Sequence, residues 1–356
     1  MADDNKYSVS VRSLVEYCAL TGDIDNRYMG ADRLKEGVRV HRYIQKNYNE
    51  NDMSEVAVKY CYLSSKNISL LIRGRIDGVL KSNDGICIEE IKSTLYSPDF
   101  MSEPVYVHKA QCMAYAYIYC FDNELDKIKI KVTYCDIKTN IVKSFEYDYY
   151  FDELKEFFFG ICEKYADYLL FISYLKQQRD NSIDSLEFPF EYRKYQKQAL
   201  KKIFDAINCG KNIFINAPTG TGKTLNALFP ALKALRGKNA KIFYLTAKST
   251  QKQVANNAVR IMIDNGLKAK ALVITAKEKI CFYDVPSCNP NDCEYARGYY
   301  DKLNDAVKDM ISKRDIFDEE YIISEAKNRG MCPFELSLDL AAECDIIICD
   351  LNISKL

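Results

Sequence analysis

Tryptophan is absent from this sequence of 356 residues, and histidine occurs only twice. Long apolar runs are absent as well, since none reaches the ~18 residues that a membrane-spanning helix needs. The first residues, MADDNKYSVSVRS, lack the basic-then-apolar pattern of a signal peptide. These absences exclude a helical membrane protein, and the sequence predicts a cytoplasmic protein with no membrane partner.

A net charge is also lacking, because 50 basic residues balance 50 acidic ones. The two signs are nevertheless separated along the chain. Residues 193–280 hold 18 Lys and Arg against 3 Asp and Glu, whereas residues 281–332 hold 7 basic and 11 acidic residues. The basic excess on the first of these segments indicates a polyanionic partner, either phosphate or nucleic acid. A solvated lysine-rich surface is the alternative.

Cysteine is abundant, with 14 residues, although disulfides are rare in the cytosol. Most of the cysteines occur singly in apolar context, which is typical of buried thiols. Four have the spacing C-x6-C-x4-C-x38-C, and they are Cys281, Cys288, Cys293 and Cys332. Four thiolates in a reducing compartment suggest a metal site. Zinc prefers closer pairs, and iron–sulfur clusters tolerate wider spacing, so a cluster, zinc and unligated thiols stay open at this point.

Two regions of different composition meet at residues 179–190, where the polar stretch RDNSIDSLEFPF predicts a linker. Before it, residues 1–178 have the mixed periodicities of an α+β domain. The helices predicted there are 10–21, 32–48, 105–121 and 152–177, and the strands are 69–80, 86–92, 127–137 and 141–148. After the linker, strands and helices alternate through residues 191–356, with an insertion at about 281–332. That alternation predicts an α/β fold with a parallel sheet covered by helices. The strands predicted there are 212–217, 241–246, 271–275 and 345–349, and the helices are 194–208, 223–236 and 249–264.

Residues 213–224, IFINAPTGTGKT, run from an apolar stretch through a Gly-rich turn into a predicted helix, which is the context of a phosphate-binding P-loop. Gly220 and Gly222 let the backbone N–H groups face the phosphates. Lys223 supplies a positive charge, Thr224 offers a hydroxyl to Mg²⁺, and the helix N-terminus adds its dipole. The sequence therefore predicts ATP and Mg²⁺ as ligands.

Ala217 stands where a P-loop usually has its first glycine, and the variant APTGTGKT resembles the P-loop of superfamily-two helicases. In that family an R-x-x-Q element, here Arg193 and Gln196, reads adenine, since a Gln amide offers one donor and one acceptor. The resemblance thus completes a nucleotide-binding set, which is Arg193, Gln196, Ala217, Thr219, Gly220, Thr221, Gly222, Lys223 and Thr224. Residues 244–250, YLTAKST, resemble the family's segment that grips the DNA backbone without reading sequence. The DNA contacts that this implies are Thr246, Lys248, Ser249 and Thr250, with a capped helix start as the alternative.

The cysteine order, placed between the third strand of this region and the CPFE segment, resembles the XPD/DinG-type helicases. Those proteins hold a [4Fe–4S] cluster there, which implies a RecA-like lobe with Cys281, Cys288, Cys293 and Cys332 as cluster ligands. The resemblance covers residues 188–350. The family pattern continues with a D-E-A-H box and a second lobe, which this sequence lacks after DIIICDLN. We therefore expect a truncated or split motor that binds ATP with little turnover, and a second chain that supplies the rest is one alternative.

Asp77 in GRID and Glu90 and Lys92 in EIK lie on two predicted strands joined by the hairpin signal SNDG. Alternation along a strand places Glu90 and Lys92 on one face. Carboxylates that converge from paired strands form an oxygen-rich site for Mg²⁺, and a lysine beside them can orient the attacking water. Asp77, Glu90 and Lys92 are therefore the catalytic candidates.

This D…E-x-K pattern resembles the PD-(D/E)xK nucleases. His41 on the preceding helix, and Gln111 and Tyr115 on the following one, extend the resemblance to the RecB-type branch over about residues 8–120. It implies a restriction-endonuclease-like domain in which His41 joins the Mg²⁺ site and Gln111 and Tyr115 face DNA, either single strands or ends. The whole chain is then a nuclease–helicase of DNA repair or defence. A stand-alone nuclease and a non-catalytic nucleotide- or DNA-binding remnant are the alternatives.

Overall fold

The computed structural model describes residues 5–25, 33–218, 220–247 and 249–351. The chain divides into two compact units, Met1–Leu170 and Phe171–Leu356. The stretch 179–190 is not the exposed linker that its polar composition predicts, because helix continues to Ser185. Ile183 and Leu186 stand three residues apart within it, and both are buried in the core of the second unit. The boundary between the units therefore precedes the predicted linker.

The first unit is built on a six-stranded sheet with the order β1-β3-β4-β5-β6, in which β2 pairs with β3. Its strands are β1 (Lys6–Ser10), β2 (Met53–Leu63), β3 (Ser69–Ser82), β4 (Gly85–Thr94), β5 (Lys127–Asp136) and β6 (Val142–Tyr150). The pairs β1·β3 and β4·β5 are parallel, and the others are antiparallel. The four predicted strands are confirmed, while β1 and β2 are additional.

Helices cover both faces of this sheet, and they are α1 (Val11–Ala19), α2 (Arg33–Gln45), α3 (Tyr106–Asn123) and α4 (Phe151–Ser185). The main core forms where α1, α3 and the first part of α4 pack against apolar residues such as Ile88 and Ile130. A smaller cluster on α2 contains Val40 and Ile44 with Ile91 of β4. Because Ile88 and Ile91 are an odd number of residues apart on one strand, they face opposite sides. The predicted helices of this unit are confirmed.

The second unit is an α/β layer structure with a parallel sheet in the order β7-β10-β8-β9. The strands are β7 (Ile242–Thr246), β8 (Ala271–Val273), β9 (Ile316–Phe317) and β10 (Ile346–Asp350). The helices are α5 (Gln196–Asn208), α6 (Lys223–Leu235), α7 (Ser249–Asp264), α8 (Lys277–Ile280), α9 (Tyr299–Lys313), α10 (Glu319–Arg329) and α11 (Pro333–Ala341). Apolar residues of α6 and α7 pack with the sheet in one core. The parallel sheet that the alternation predicts is confirmed.

The strand predicted at 212–217 is not formed. Ile213, Phe214 and Ile215 are 40%, 98% and 51% exposed, and within the described residues the segment pairs with no strand. Its apolar composition suits a strand, but a strand also needs backbone pairing with a neighbour, which composition does not reveal. Of the helices described, none combines the length and the apolar character that crossing a bilayer requires.

Candidate functional site

Asp77 lies at a gap in the first sheet. One edge of β3 pairs with β1 over residues 69–73 and with β4 over residues 78–82, so residues 74–77 face neither strand. Asp77 Oδ2 instead accepts a hydrogen bond from the backbone N–H of Ile91 at 2.8 Å. The gap therefore brings the Asp77 carboxylate to the strand that carries Glu90 and Lys92.

His41 of α2 approaches the same carboxylate. Its Nδ1 atom lies 3.5 Å from Asp77 Oδ1. Burial lowers the pKa of His41, an effect that the charges of Glu90 and Glu55 oppose. The neutral imidazole that burial favours is the form that binds metals. The structure thus brings His41 and Asp77 together as the sequence predicts.

Glu90 is the buried carboxylate of the site, with 2% of its surface exposed. Its Oε1 atom lies 2.7 Å from Lys92 Nζ, whereas Oε2 has no hydrogen-bond partner among the described residues. Burial raises the pKa of Glu90 to about 7 and that of Asp77 to about 6. A buried carboxylate oxygen without a partner is costly, and a divalent cation would supply the missing partner. The donor set of two carboxylates and an imidazole therefore fits a metal ion.

Lys92 connects this set to helix α3. Its Nζ atom donates to Gln111 Oε1 at 3.2 Å, and Gln111 is itself hydrogen-bonded to Tyr115. Tyr115 packs directly against β3 at Gly74, where an added Cβ would lie 2.4 Å from Cε1 of the tyrosine ring. Only glycine fits there without moving the ring. One site therefore contains six residues that are dispersed over 75 positions of the sequence. They are His41, Asp77, Glu90, Lys92, Gln111 and Tyr115.

Glu55 of β2 belongs to the same site, and sequence reasoning missed it. One ligand atom each from His41, Glu55 and Asp77 can be chosen so that all three atoms lie within 4.8 Å of one another. Glu55 falls in a strand that was not predicted, and it belongs to no motif. Only the pairing register of β2 with β3 brings it to Asp77.

The phosphate loop of the second unit borders a cavity of about 610 Å³. Gly220 and Gly222 have φ angles of 79° and 74°, a left-handed conformation that glycine adopts at little cost. Gly222 directly precedes the first residue of α6, Lys223. The loop therefore turns as a P-loop requires, and it places Lys223 at a helix N-terminus on the cavity wall.

Hydrogen bonds connect the phosphate loop and the start of α6 to Gln196 of α5 and to Arg193 just before that helix. Arg193 donates through Nη1 to the carbonyl of Gly220, and Gln196 Nε2 donates to Asn226 Oδ1 at 2.6 Å. Asn226 in turn donates through Nδ2 to the Thr221 carbonyl at 3.1 Å. Asn226 is a further residue that the motif comparison missed, because it lies beyond the motif.

The remaining predicted nucleotide contacts have different positions. Thr221 and Thr224 line the cavity, and Thr224 Oγ1 lies 3.4 Å from the hydroxyl of Tyr244. Ala217 is half-buried in the irregular segment before the loop. Thr219 lies outside the described residues.

Thr246, one of the predicted DNA contacts, is buried at the end of β7, with 3% of its surface exposed. Its hydroxyl lies 3.3 Å from Asp350 Oδ1 at the end of β10. The prediction for Thr246 is therefore corrected, because this side chain links two parallel strands and does not offer its hydroxyl to solvent. Lys248 and the side chain of Ser249 lie outside the described residues, and Thr250 is exposed on α7.

The four cysteines of the insertion come from separate segments. Cys281 follows α8, Cys293 precedes a short 3-10 turn, and Cys332 precedes α11. Burial raises the pKa of Cys293, and the charges of Cys281 and Cys288 raise it further. Burial also raises the pKa of Cys332 to about 11, with a contribution from Cys288. The thiols are thus within electrostatic reach of one another.

The sulfurs of these cysteines are not arranged as in a zinc site. Zinc–sulfur bonds of about 2.3 Å in a tetrahedron place sulfurs roughly 3.8 Å apart. Among the described residues, no three cysteine sulfurs lie within 4.8 Å of one another.

Comparison with known proteins addresses the second unit. Residues 193–313 match the DEAD/DEAH box helicase family. The matched segment contains the P-loop, β7, β8 and three of the four cysteines. Its parallel-sheet core is consistent with a RecA-like lobe.

Two curated proteins are similar to this chain, and both are named as helicases. "Putative helicase 22" of Sulfolobus islandicus filamentous virus (isolate Iceland/Hveragerdi) is 30% identical over 224 residues, which cover 57% of this chain and 38% of that protein. "Regulator of telomere elongation helicase 1" of Homo sapiens is 20% identical over 221 residues, which cover 47% of this chain and 18% of that protein. The chain spans less than two fifths of the length of either relative.

One solved structure also aligns with part of the chain. Titled "Crystal structure of SSO0001", it has 17% identity and a TM-score of 0.30, and the alignment covers 46% of this chain and 76% of that one. A score this low supports no conclusion about either unit.

Proposed function

We propose that this chain combines a divalent-metal-dependent DNA nuclease in residues 1–170 with an ATP-binding DNA helicase lobe of the XPD/DinG type. The observation that carries the nuclease is that His41 contacts Asp77 and that Lys92 contacts Glu90, whose buried Oε2 atom has no partner among the described residues. The helicase family match and the P-loop cavity support the motor lobe. Single-stranded DNA or DNA ends are the proposed substrate.

In the nuclease, His41, Asp77 and Glu90 would hold Mg²⁺. The ion supplies Lewis acidity, which polarises the scissile phosphate and lowers the pKa of the attacking water. The Lys92 ammonium, held between Glu90 and Gln111, orients that water or offsets the charge that develops on the phosphate. Gln111 fixes the position of Lys92 and faces the DNA side of the site.

In the motor lobe, Lys223 binds the β and γ phosphates, and backbone N–H groups of the loop at Gly220 and Gly222 surround them. Arg193 and Gln196 line the same cavity, where they contact the adenine. Arg193 is hydrogen-bonded to Gly220, and Gln196 is hydrogen-bonded to Asn226. These bonds couple recognition of the base to the conformation of the phosphate loop.

The four cysteines of the insertion, Cys281, Cys288, Cys293 and Cys332, would bind a [4Fe–4S] cluster. Their wide spacing in the sequence and their origin in separate segments support this assignment over zinc. The cluster would stabilise the insertion by joining segments that are distant in sequence.

The nuclease proposal is tested with the purified full chain, Mg²⁺ and end-labelled single-stranded DNA. We expect cleavage that chelation abolishes and that Asp77→Ala eliminates. Lys92→Ala should reduce the rate by roughly 10²-fold, as removal of one charge-stabilising group does, while leaving metal binding intact. Cleavage that persists in Asp77→Ala would show that this site is not the nuclease, and the first unit would then be a DNA-binding scaffold.

A further inference from the structure

Glu55 occupies a distorted position of β2, directly across from Asp77. The neighbouring pairs of the ladder are Ser54 with Gly78 and Val56 with Ile76, so the register sets Glu55 opposite Asp77. Among the described non-glycine residues, Glu55 is the one with positive φ inside a strand, at 56°. Such a conformation persists in an ordinary residue only where the surroundings enforce it, and it clusters at functional sites.

The distortion affects both strands at the same level. On β2, the residues that reach the main core change from odd to even positions between Met53 and Val56. On β3, they change from even to odd positions between Ile76 and Val79. In a regular strand, side chains alternate between the two faces, so the residues that face the core would be all odd-numbered or all even-numbered. The irregular turn of both backbones therefore sets the directions of the two side chains that lie between, Glu55 and Asp77.

Gln45, one helical turn after His41 on α2, holds this arrangement. Its Nε2 atom donates to Glu55 Oε1 at 3.1 Å and to the backbone carbonyl of Asp77 at 3.0 Å. The second oxygen of Glu55 lies 3.5 Å from Arg75 Nη1. Glu55 is thus oriented by an amide donor from the helix that supplies the imidazole.

The ligand atoms of His41, Glu55 and Asp77 lie close together, within 4.8 Å of one another. Ligands of Mg²⁺ at about 2.1 Å stand at most about 4.2 Å apart, so an approach of at most about 0.6 Å would let the three side chains share one cation. Side-chain exposure increases across the site, from 3% for Glu90 through 13% for Asp77 and 29% for His41 to 44% for Glu55. Glu90, whose Oε2 atom has no partner among the described residues, is the most buried of these side chains, and Glu55 is the most exposed.

We infer that Glu55 is a further ligand of the divalent cation, which it binds together with His41 and Asp77 at the open side of the site. This inference rests on the proposed nuclease function. It gives the site a third carboxylate, from a strand outside the D…E-x-K hairpin, and this donor set favours hard, oxygen-seeking ions.

The test measures Mn²⁺ binding to the full chain by isothermal titration calorimetry, without DNA. Glu55→Gln should lower Mn²⁺ affinity at least about 10-fold, at the lower end of the loss seen when groups of a metal site are removed. Glu50→Gln is the matched control, since it removes an exposed carboxylate five residues earlier and should leave the affinity unchanged.

Glu55→Asn separates a ligand from a structural residue. Asn tolerates the left-handed conformation better than Glu does, so the thermal midpoint of the metal-free protein should stay equal or rise while Mn²⁺ affinity falls. Wild-type affinity in both Glu55 variants would overturn the inference and leave the nuclease proposal standing. A wild-type chain that neither binds Mn²⁺ nor cuts DNA would overturn both.

Discussion

Two neighbouring carboxylates of β4 differ in how their oxygens are satisfied. Glu89 receives hydrogen bonds from the hydroxyls of Tyr48 at 2.6 Å and Thr133 at 2.5 Å, and Lys131 lies 3.5 Å away. Glu90, the next residue, faces the other side of the sheet and leaves Oε2 without a partner within the described structure. Because buried polar groups are normally hydrogen-bonded, Glu89 has the environment of a structural residue and Glu90 that of a functional one.

The contrast predicts opposite results for two substitutions. Glu89→Ala removes the acceptor of the Tyr48 hydroxyl and one of the two partners of the Thr133 hydroxyl, and it should lower the free energy of unfolding by about 1–3 kcal/mol. Glu90→Gln keeps an oxygen that can accept from Lys92 and removes a charge that burial disfavours, as the raised pKa of Glu90 indicates. The unfolding free energy should therefore stay equal or rise while cleavage is lost. Urea unfolding in chelator and a cleavage assay with Mg²⁺ measure the two effects. A Glu90→Gln variant that is destabilised, or that still cuts DNA, would contradict this assignment.

The conformation of the phosphate loop depends in part on Asn226, a residue that lies outside the P-loop motif. Lys223→Ala removes the charge that meets the phosphates and should weaken ATP binding about 10-fold or more, because hydrogen bonds to charged groups contribute about 1.5–3 kcal/mol. Asn226→Ala leaves every motif residue in place but frees Gln196 and Thr221, and a smaller loss of affinity should follow. Titration with a fluorescent ATP analogue gives both values, with Asp77→Ala as the control that binds normally. Unchanged affinity in Asn226→Ala would show that the loop needs no tie to α5.

The insertion is the second element with its own test. Anaerobically purified protein should be brown and contain iron and acid-labile sulfide. Cys288→Ser should remove the colour and lower the thermal midpoint, since the proposed cluster would join segments distant in sequence. Cys344, buried in the core just before β10, provides the matched control, and Cys344→Ser should keep the colour. A colourless wild-type protein with stoichiometric zinc would contradict the cluster.

The sequence predicts the elements that depend on local residue patterns better than those that depend on pairing between distant segments. Helix α3 and the hairpin of β3 and β4 follow from local periodicity, and on them Asp77 accepts from the backbone of Ile91 while Lys92 donates to Gln111. The segment 212–217 has strand composition, but whether it becomes a strand depends on a neighbour that composition does not reveal. Glu55 depends on register and on a backbone distortion, which are set by pairing between distant segments. Its place in the site therefore could not be predicted from the sequence.

At the scale of the whole molecule, charge is segregated although the total is zero. The net charge of +15 over residues 193–280 predicts DNA binding that depends on salt, because basic side chains release counterions from the phosphates. Affinity for single-stranded DNA should fall about tenfold or more between roughly 50 and 200 mM salt. Fluorescence anisotropy at several salt concentrations measures the slope. A flat salt dependence would show that these lysines do not face the nucleic acid.

The exposed run Ile213–Phe214–Ile215 has a consequence for how the protein behaves in concentrated solution. It presents three adjacent apolar side chains, and β7, the outer strand of the second sheet, exposes Phe243 and Leu245. Apolar β-prone segments and open strand edges are the features through which chains aggregate. A formal charge of zero at pH 7 provides little long-range repulsion against such contacts. These side chains should therefore lower the colloidal stability of the protein near pH 7, where its net charge is close to zero.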